Sequence, residues 1–287
     1  MAQFHVMAGA GETYNHVAVR KISFSDVTAS LRQGAEDFWE KPSHYVFLCI
    51  IYPLVGVVLA TWTSGNNALP LLFPLMSGFA LLGPIAAIGL YEISRRRELG
   101  MDTSWVHAFD VRHSSALPSI VAVGIWLFAL FIAWLLVAQA IYAMTFGSEP
   151  PTSIGTFIRD VLTTDRGWSL ILWGNLVGLV FAIVALATTV IAFPLLLDRD
   201  VGVIAAMEAS ARALIVNPLP MLFWGLLVAV GLVIGSIPLF AGLAVVMPIF
   251  GHATWHLYRK VVEPSVTASS KAAEKRRGSL KAAAKRA

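Results

Sequence analysis

At 287 residues, 57% hydrophobic and 13% charged with a net charge of +4, the chain carries far less charge than a soluble domain, where about a quarter of residues are charged. That balance excludes an ordinary soluble fold and makes a bilayer the default solvent. A single cysteine, Cys49, excludes an internal disulfide and a thiolate metal cluster.

Residues 1–22 read as a flexible arm. Glu12, Asp26, Glu36, Asp37 and Glu40 are scattered through the first 40 residues, so no basic start, apolar core and cleavage site of a secretory signal peptide is present there. DVTASLRQGAEDFWEKP (26–42) has apolar residues at helical spacing and predicts an amphipathic helix lying at the membrane interface, which Pro42 then turns into the bilayer. Uncharged runs follow at about 44–62 and 69–91, each of the roughly 20 residues a transmembrane helix needs. The second ends in YEISRRRE, where Tyr91 reads as an interfacial aromatic anchor and Glu92 has Arg95 and Arg96 at helical spacing. Residues 103–118 predict a further interfacial helix, and 118–143 the third span. The outer loop 144–168 has an extended start at Pro150 and Pro151 and a short helix over TFIRDVLT. The fourth span is 168–196, and 202–218 is another interfacial helix.

Residues 219–258 would make a rod of about 60 Å at about 1.5 Å per residue, twice the bilayer. The sequence therefore predicts a hairpin turning at GSIP (235–238), with spans 219–236 and 239–258. Residues 263–287 are alanine-rich and basic, expected to be disordered or to lie against anionic lipid.

Six spans put every lysine and arginine except Arg159 and Arg166 on one side, the distribution expected of cytoplasmic loops. The fold expected is thus an all-α polytopic membrane protein of six transmembrane helices in residues 23–262, with both termini cytoplasmic in a bacterial inner membrane. An internal repeat supports this organisation. Segments 26–42 and 202–218 align without gaps, with Val27 over Val203, Leu31 over Met207, Phe38 over Leu214 and Pro42 over Pro218, and 103–118 is a weaker third copy. The following helices share Pro84, Pro194 and Pro248. Three hairpins, each preceded by an interfacial amphipathic helix, are expected.

LRQGAEDFWEKPSHYVFLCIIYPLVG, GFALLGPIAAIGLYEISRRRELG and AGLAVVMPIFGHATWHLYRKV together resemble a bacterial family of predicted integral membrane proteins defined only as a domain of unknown function, over about residues 20–262. Some relatives carry an automatic label of cytochrome c oxidase subunit I. Haem–copper chemistry needs several histidines inside the membrane, and the span assignment places none of His5, His16, His44, His107, His113, His252 or His256 at its middle. The label is therefore not carried over; an accessory role near such an oxidase is the weaker implication.

His252 and His256 sit one helical turn apart and could share a ligand, but Ala253 stands where a metalloprotease helix needs glutamate. Interfacial packing beside Trp255 and Tyr258 explains the pair equally well, and no metal is expected. Gln139 and Asn175 are the main polar groups inside the spans, suited to interhelical hydrogen bonds. Gly174 and Gly178 have the GxxxG spacing of close helix contacts. No phosphate loop, nucleophile elbow or paired acidic motif is present, so no catalytic residue and no cofactor is expected. The candidate interfacial site is Tyr91, Glu92, Arg95, Arg96, His252 and His256, suited to a phosphate or lipid head group. The expected role is a structural or accessory protein binding membrane lipids and other membrane proteins, without nucleic acid. The alternative is a permease for a small or amphipathic molecule, with a polar path at Gln139 and Asn175.

Overall fold

A computed structural model describes residues 17–40, 56, 72–149, 151–238 and 241–263. The expected span 44–62, the arm 1–16 and the tail beyond 263 lie outside these residues. The described chain is all-helical, with one isolated antiparallel bridge between Val19 and Val262.

Helix α1 (Phe24–Glu40) starts where the sequence supplies a reciprocal cap. The Ser23 backbone N–H donates to Asp26 Oδ2 at 2.9 Å, and the Asp26 N–H donates to Ser23 Oγ at 3.3 Å. Its buried face is Val27, Ser30, Gly34, Asp37 and Phe38. The expected span 69–91 is not one continuous helix but α2 (Leu72–Leu81), α3 (Gly83–Ala86) and α4 (Ile88–Glu98). Pro84 cannot donate to the Ala80 carbonyl, so the helix breaks at Leu82. Residues 103–118 contain a 3-10 helix (Trp105–His113) in place of the expected amphipathic α-helix.

Helices α5 (Leu117–Phe146) and α7 (Asp165–Thr189) are joined through α6 (Ile154–Thr163), the short helix expected over TFIRDVLT. Ser153 and Thr164 cap α6 and α7 by accepting from Thr156 and Gly167 N–H. The two long helices run in opposite directions: Trp126 Nε1 donates to Thr188 Oγ1 at 3.1 Å, and Trp134 packs on Phe181 and Gly178. Pro194 leaves the Val190 carbonyl without its helical donor, so α7 gives way to α8 (Ala192–Asp198). The Ile191 N–H at that break is satisfied by Ser210 Oγ, 3.3 Å away on α9 (Val203–Val216).

Helix α10 (Pro218–Ser236) ends at the expected GSIP turn, and α11 (Leu243–Val261) returns alongside it. The turn is tight because a Cβ on Gly242 would meet the Gly235 carbonyl oxygen at 2.8 Å.

Among the described residues, three helical stretches are long and apolar enough to cross a membrane: Leu117–Phe146, Asp165–Asp198 and Pro218–Ser236. They coincide with three of the expected spans, and their outer faces expose Ile125, Leu136, Leu172, Trp173, Leu179, Leu226 and Val233. Helix α11 differs from the expected span 239–258. Its second half carries His252, Trp255, His256, Tyr258, Arg259 and Lys260, of which His252, Trp255 and Tyr258 are buried inside the protein.

The most extensive helix pairing joins α1 to α11, from opposite ends of the chain. Gly34 makes it possible: a Cβ there would meet the Ala253 backbone nitrogen and Ile249 carbonyl oxygen, each at 2.5 Å. Elsewhere the 3-10 helix lies against α4, and α9 lies against α7 and α8.

Candidate functional site

Helices α1, α4 and α11 bring their polar residues together where the apolar stretches end. At the centre is Asp37, buried on α1. Its Oδ1 accepts from Arg97 Nη1 at 2.6 Å, and its Oδ2 accepts from Ser94 Oγ and from His256 Nε2, both at 2.9 Å. Burial pushes the Asp37 carboxyl up. The His256 hydrogen bond and the charges of His256, His252 and Arg97 outweigh burial and hold it below the usual carboxylate range.

The Ser94 hydroxyl has one proton, and it goes to Asp37. At its 2.6 Å contact with His252 Nδ1, Ser94 therefore accepts, which fixes His252 as a donor at Nδ1. The order His252, Ser94, Asp37 differs from a hydrolytic triad, in which histidine stands between carboxylate and nucleophile. Ser94 is 2% and His252 0% exposed, so both side chains are closed to solvent. The chemistry of this cluster is charge satisfaction between helices.

A second network locks α4 and α8 onto α11. Glu98 accepts from Trp255 Nε1 at 3.0 Å and from Arg259 Nη2 at 2.6 Å, while Asp198 Oδ2 accepts from Tyr258 Oη at 2.6 Å. Asn217 holds the segment at Arg20–Ile22 onto this assembly: its Oδ1 accepts from the Ile22 N–H at 2.8 Å, and its Nδ2 donates to the Arg20 carbonyl at 3.0 Å.

The expected interfacial site thus divides in two. His252 and His256 belong to the Asp37 cluster. Glu92 is buried rather than exposed and binds both expected arginines, Arg95 through Nε and Nη2 and Arg96 through Nε, at 2.8–3.0 Å. Its hydrogen bond raises the Arg95 pKa above the usual arginine value, partly offset by burial. Arg96 continues to Asp110 Oδ2 at 2.7 Å, which His107 Nδ1 also contacts at 2.7 Å. Tyr91 is buried in the core.

Glu92, Arg95 and Arg96 face a cavity of about 420 Å³ between α4, the 3-10 helix and α8, completed by Asp110, Val111, His113, Ser114 and Leu197.

Gln139 and Asn175 lie on exposed faces. Asn175 Nδ2 donates to the Ile171 carbonyl of its own helix at 2.7 Å, in place of the expected interhelical bond. Of the GxxxG pair, Gly178 lies against Trp134 and Gly174 faces open space. Among the described residues no group of three or more histidine, cysteine, aspartate or glutamate side chains is arranged to hold a metal ion.

Asp37, Glu98, Asp198 and Asn217 were not marked by any motif, and the SRRR run containing Ser94 and Arg97 gave no sign of their partner Asp37. The one available signal was a carboxylate at Asp37 on the apolar-periodic face of α1, beside Phe38.

The segment from α2 to α8 also carries a likeness to known proteins. Residues 72–198 match the family Predicted integral membrane protein (DUF2189). The matched stretch includes the GFALLGPIAAIGLYEISRRRELG block and two of the three helices able to span a membrane. The other two blocks, 31–56 and 241–261, lie outside it. No curated protein and no solved structure matches the chain. The chain is an integral membrane protein that is similar over residues 72–198 to a family defined without a function.

Proposed function

We propose that this is a structural or accessory membrane protein, without a catalytic centre, that binds membrane lipids and neighbouring membrane proteins through its polar end. It has six spans in three hairpins, with both termini on the cytoplasmic side of a bacterial inner membrane.

The observation that carries this reading is the mutual saturation of the charges at the polar end, of which Asp37 and Glu92 are buried and Glu98 is exposed. Asp37, Glu92 and Glu98 each accept from two or more groups of the chain itself, a pattern that rigidifies a platform rather than presenting a reactive group. Around that platform Trp39, Leu99, Met101, Trp105, Val106 and Phe109 are exposed, the side chains of a surface that meets lipid or another membrane protein.

The packing also supports three like units. The 3-10 helix lies on the helix that precedes it, α9 does likewise, and α1 closes the set by lying on α11, the last. In the alignment of 26–42 with 202–218, the shared buried positions are Ser30 with Ala206, Gly34 with Ser210 and Asp37 with Ala213. Exposed Gln139 and Asn175 give the permease alternative no polar lining.

Purification in mild detergent followed by native mass spectrometry tests the reading. Retention of phospholipid or of a membrane protein at defined stoichiometry is expected, with an absorbance spectrum lacking a Soret band. A bare chain with neither lipid nor protein bound contradicts the binding role, and a haem spectrum contradicts the absence of a cofactor.

A further inference from the structure

Resting on the reading that this end of the protein meets lipid, the geometry points to the cavity beside Glu92 as a site for a phosphate group that carries a primary ammonium, the head of a phosphatidylethanolamine.

The cavity is at the right depth. Ser114 lies three residues before α5, and Leu197 is in the last turn of α8, so it sits at the ends of two stretches able to span a membrane. Lipid head groups occupy that level. The 3-10 helix that forms its wall also exposes Trp105, Val106 and Phe109, apolar surface suited to the region beneath a head group. At about 420 Å³ it falls within the range of about 300–1,000 Å³ typical of small-ligand sites.

The charges have the right sign and unused valence. Glu92 is consumed by its two arginines. Arg95 binds it through Nε and Nη2, which leaves Nη1 to donate, and the side chain is 29% exposed. His113 lines the cavity and makes no hydrogen bond with the described residues. These two are donors for a phosphate. Asp110 uses Oδ2 for Arg96 and His107, which leaves Oδ1 to accept, and the side chain is 32% exposed. The His107 hydrogen bond holds the Asp110 carboxyl below the usual range, so it is ionised and is the acceptor for an ammonium. A free cation donor and a free anionic acceptor in one cavity select a ligand carrying both charges. A quaternary choline head cannot donate to Asp110, and a glycerol head offers it no charge.

The test places the purified full chain in nanodiscs containing equal amounts of phosphatidylethanolamine, phosphatidylcholine and phosphatidylglycerol, then extracts it and measures bound lipid by native mass spectrometry. Phosphatidylethanolamine is expected to be retained over each competitor by about tenfold, the size of one charge-assisted hydrogen bond. Asp110→Asn abolishes that preference while lipid still binds, Arg95→Gln lowers retention of all three, and Arg159→Gln, in the outer loop, changes neither. Unfolding midpoints of the variants show whether each is folded; if Asp110→Asn is not, His113→Gln, at an exposed position, must reduce retention instead. Competition with soluble phosphoethanolamine separates the sources: displacement of the lipid assigns the site to lipid heads, and binding of the soluble compound with no lipid preference assigns it to a free phosphoethanolamine. Lipid bound with no head-group preference and no response to Asp110→Asn, together with no binding of the soluble compound, overturns the site while leaving the lipid-binding role intact. No lipid bound and no binding of the soluble compound overturns both.

Discussion

Arg97 and Asp37, sixty residues apart, meet with Nη1 2.6 Å from Oδ1 and join the SRRR segment of α4 to the first amphipathic helix. The arginine run read from the sequence as an orientation signal thus also supplies a structural partner. Asp37→Ala removes the acceptor of Arg97, Ser94 and His256 at once. A loss of about 1–3 kcal/mol is expected, because buried partners are left unsatisfied although Arg97 itself is partly solvated. Thermal unfolding in detergent measures it, and Arg32→Ala, which breaks an exposed pair with Glu36, changes stability by less than about 0.5 kcal/mol.

Acid should weaken the same junction. Asp37 titrates below the ordinary aspartate value of 3.8, so its contribution is fully present above that value and is lost as pH falls through its lower folded value. Asp37→Asn therefore flattens the acid limb of a stability-against-pH curve. Asp26 and Asp110, also held low by their hydrogen bonds, keep some slope in that variant.

Gly34 permits the contact of α1 with α11, since a Cβ there meets backbone atoms that cannot rotate away. Gly34→Ala is expected to cost about 1–3 kcal/mol by overpacking, against the usual gain of about 1 kcal/mol for alanine over glycine in a helix. The control is Gly155→Ala, where the added atom meets open space. Unfolding midpoints of the two variants should move in opposite directions.

Asn217→Ala frees the segment at Arg20–Ile22 from α9. Hydrogen exchange at the Ile22 amide should accelerate, with about 1–3 kcal/mol lost from stability.

What the sequence revealed follows from periodicity. Apolar runs marked α5, α7 with α8, and α10, because lipid-facing helices are apolar all round and need no partner to be recognised. The boundary between α9 and α10 was legible from Pro218. Helix α11 was only half legible: burial of His252 beside Asp37 of α1 depends on a pairing between residues more than 200 positions apart, which no local pattern encodes. For the same reason His252 and His256 stood out while Asp37, which organises them, did not. The breaks at Pro84 and Pro194 were marked by proline, but the sequence could not show that Ser210 satisfies the amide freed at Ile191.

With six spans, the outer loop and the 3-10 helix lie on opposite sides of the membrane, joined by α5. Replacing Cys49 by alanine and introducing Thr152→Cys or Arg112→Cys, both at exposed positions, allows each side to be labelled with a membrane-impermeant maleimide on intact cells. The account predicts that Thr152→Cys labels directly and Arg112→Cys labels only after permeabilisation. Labelling of both from the same side, or of Arg112→Cys alone from outside, would contradict it.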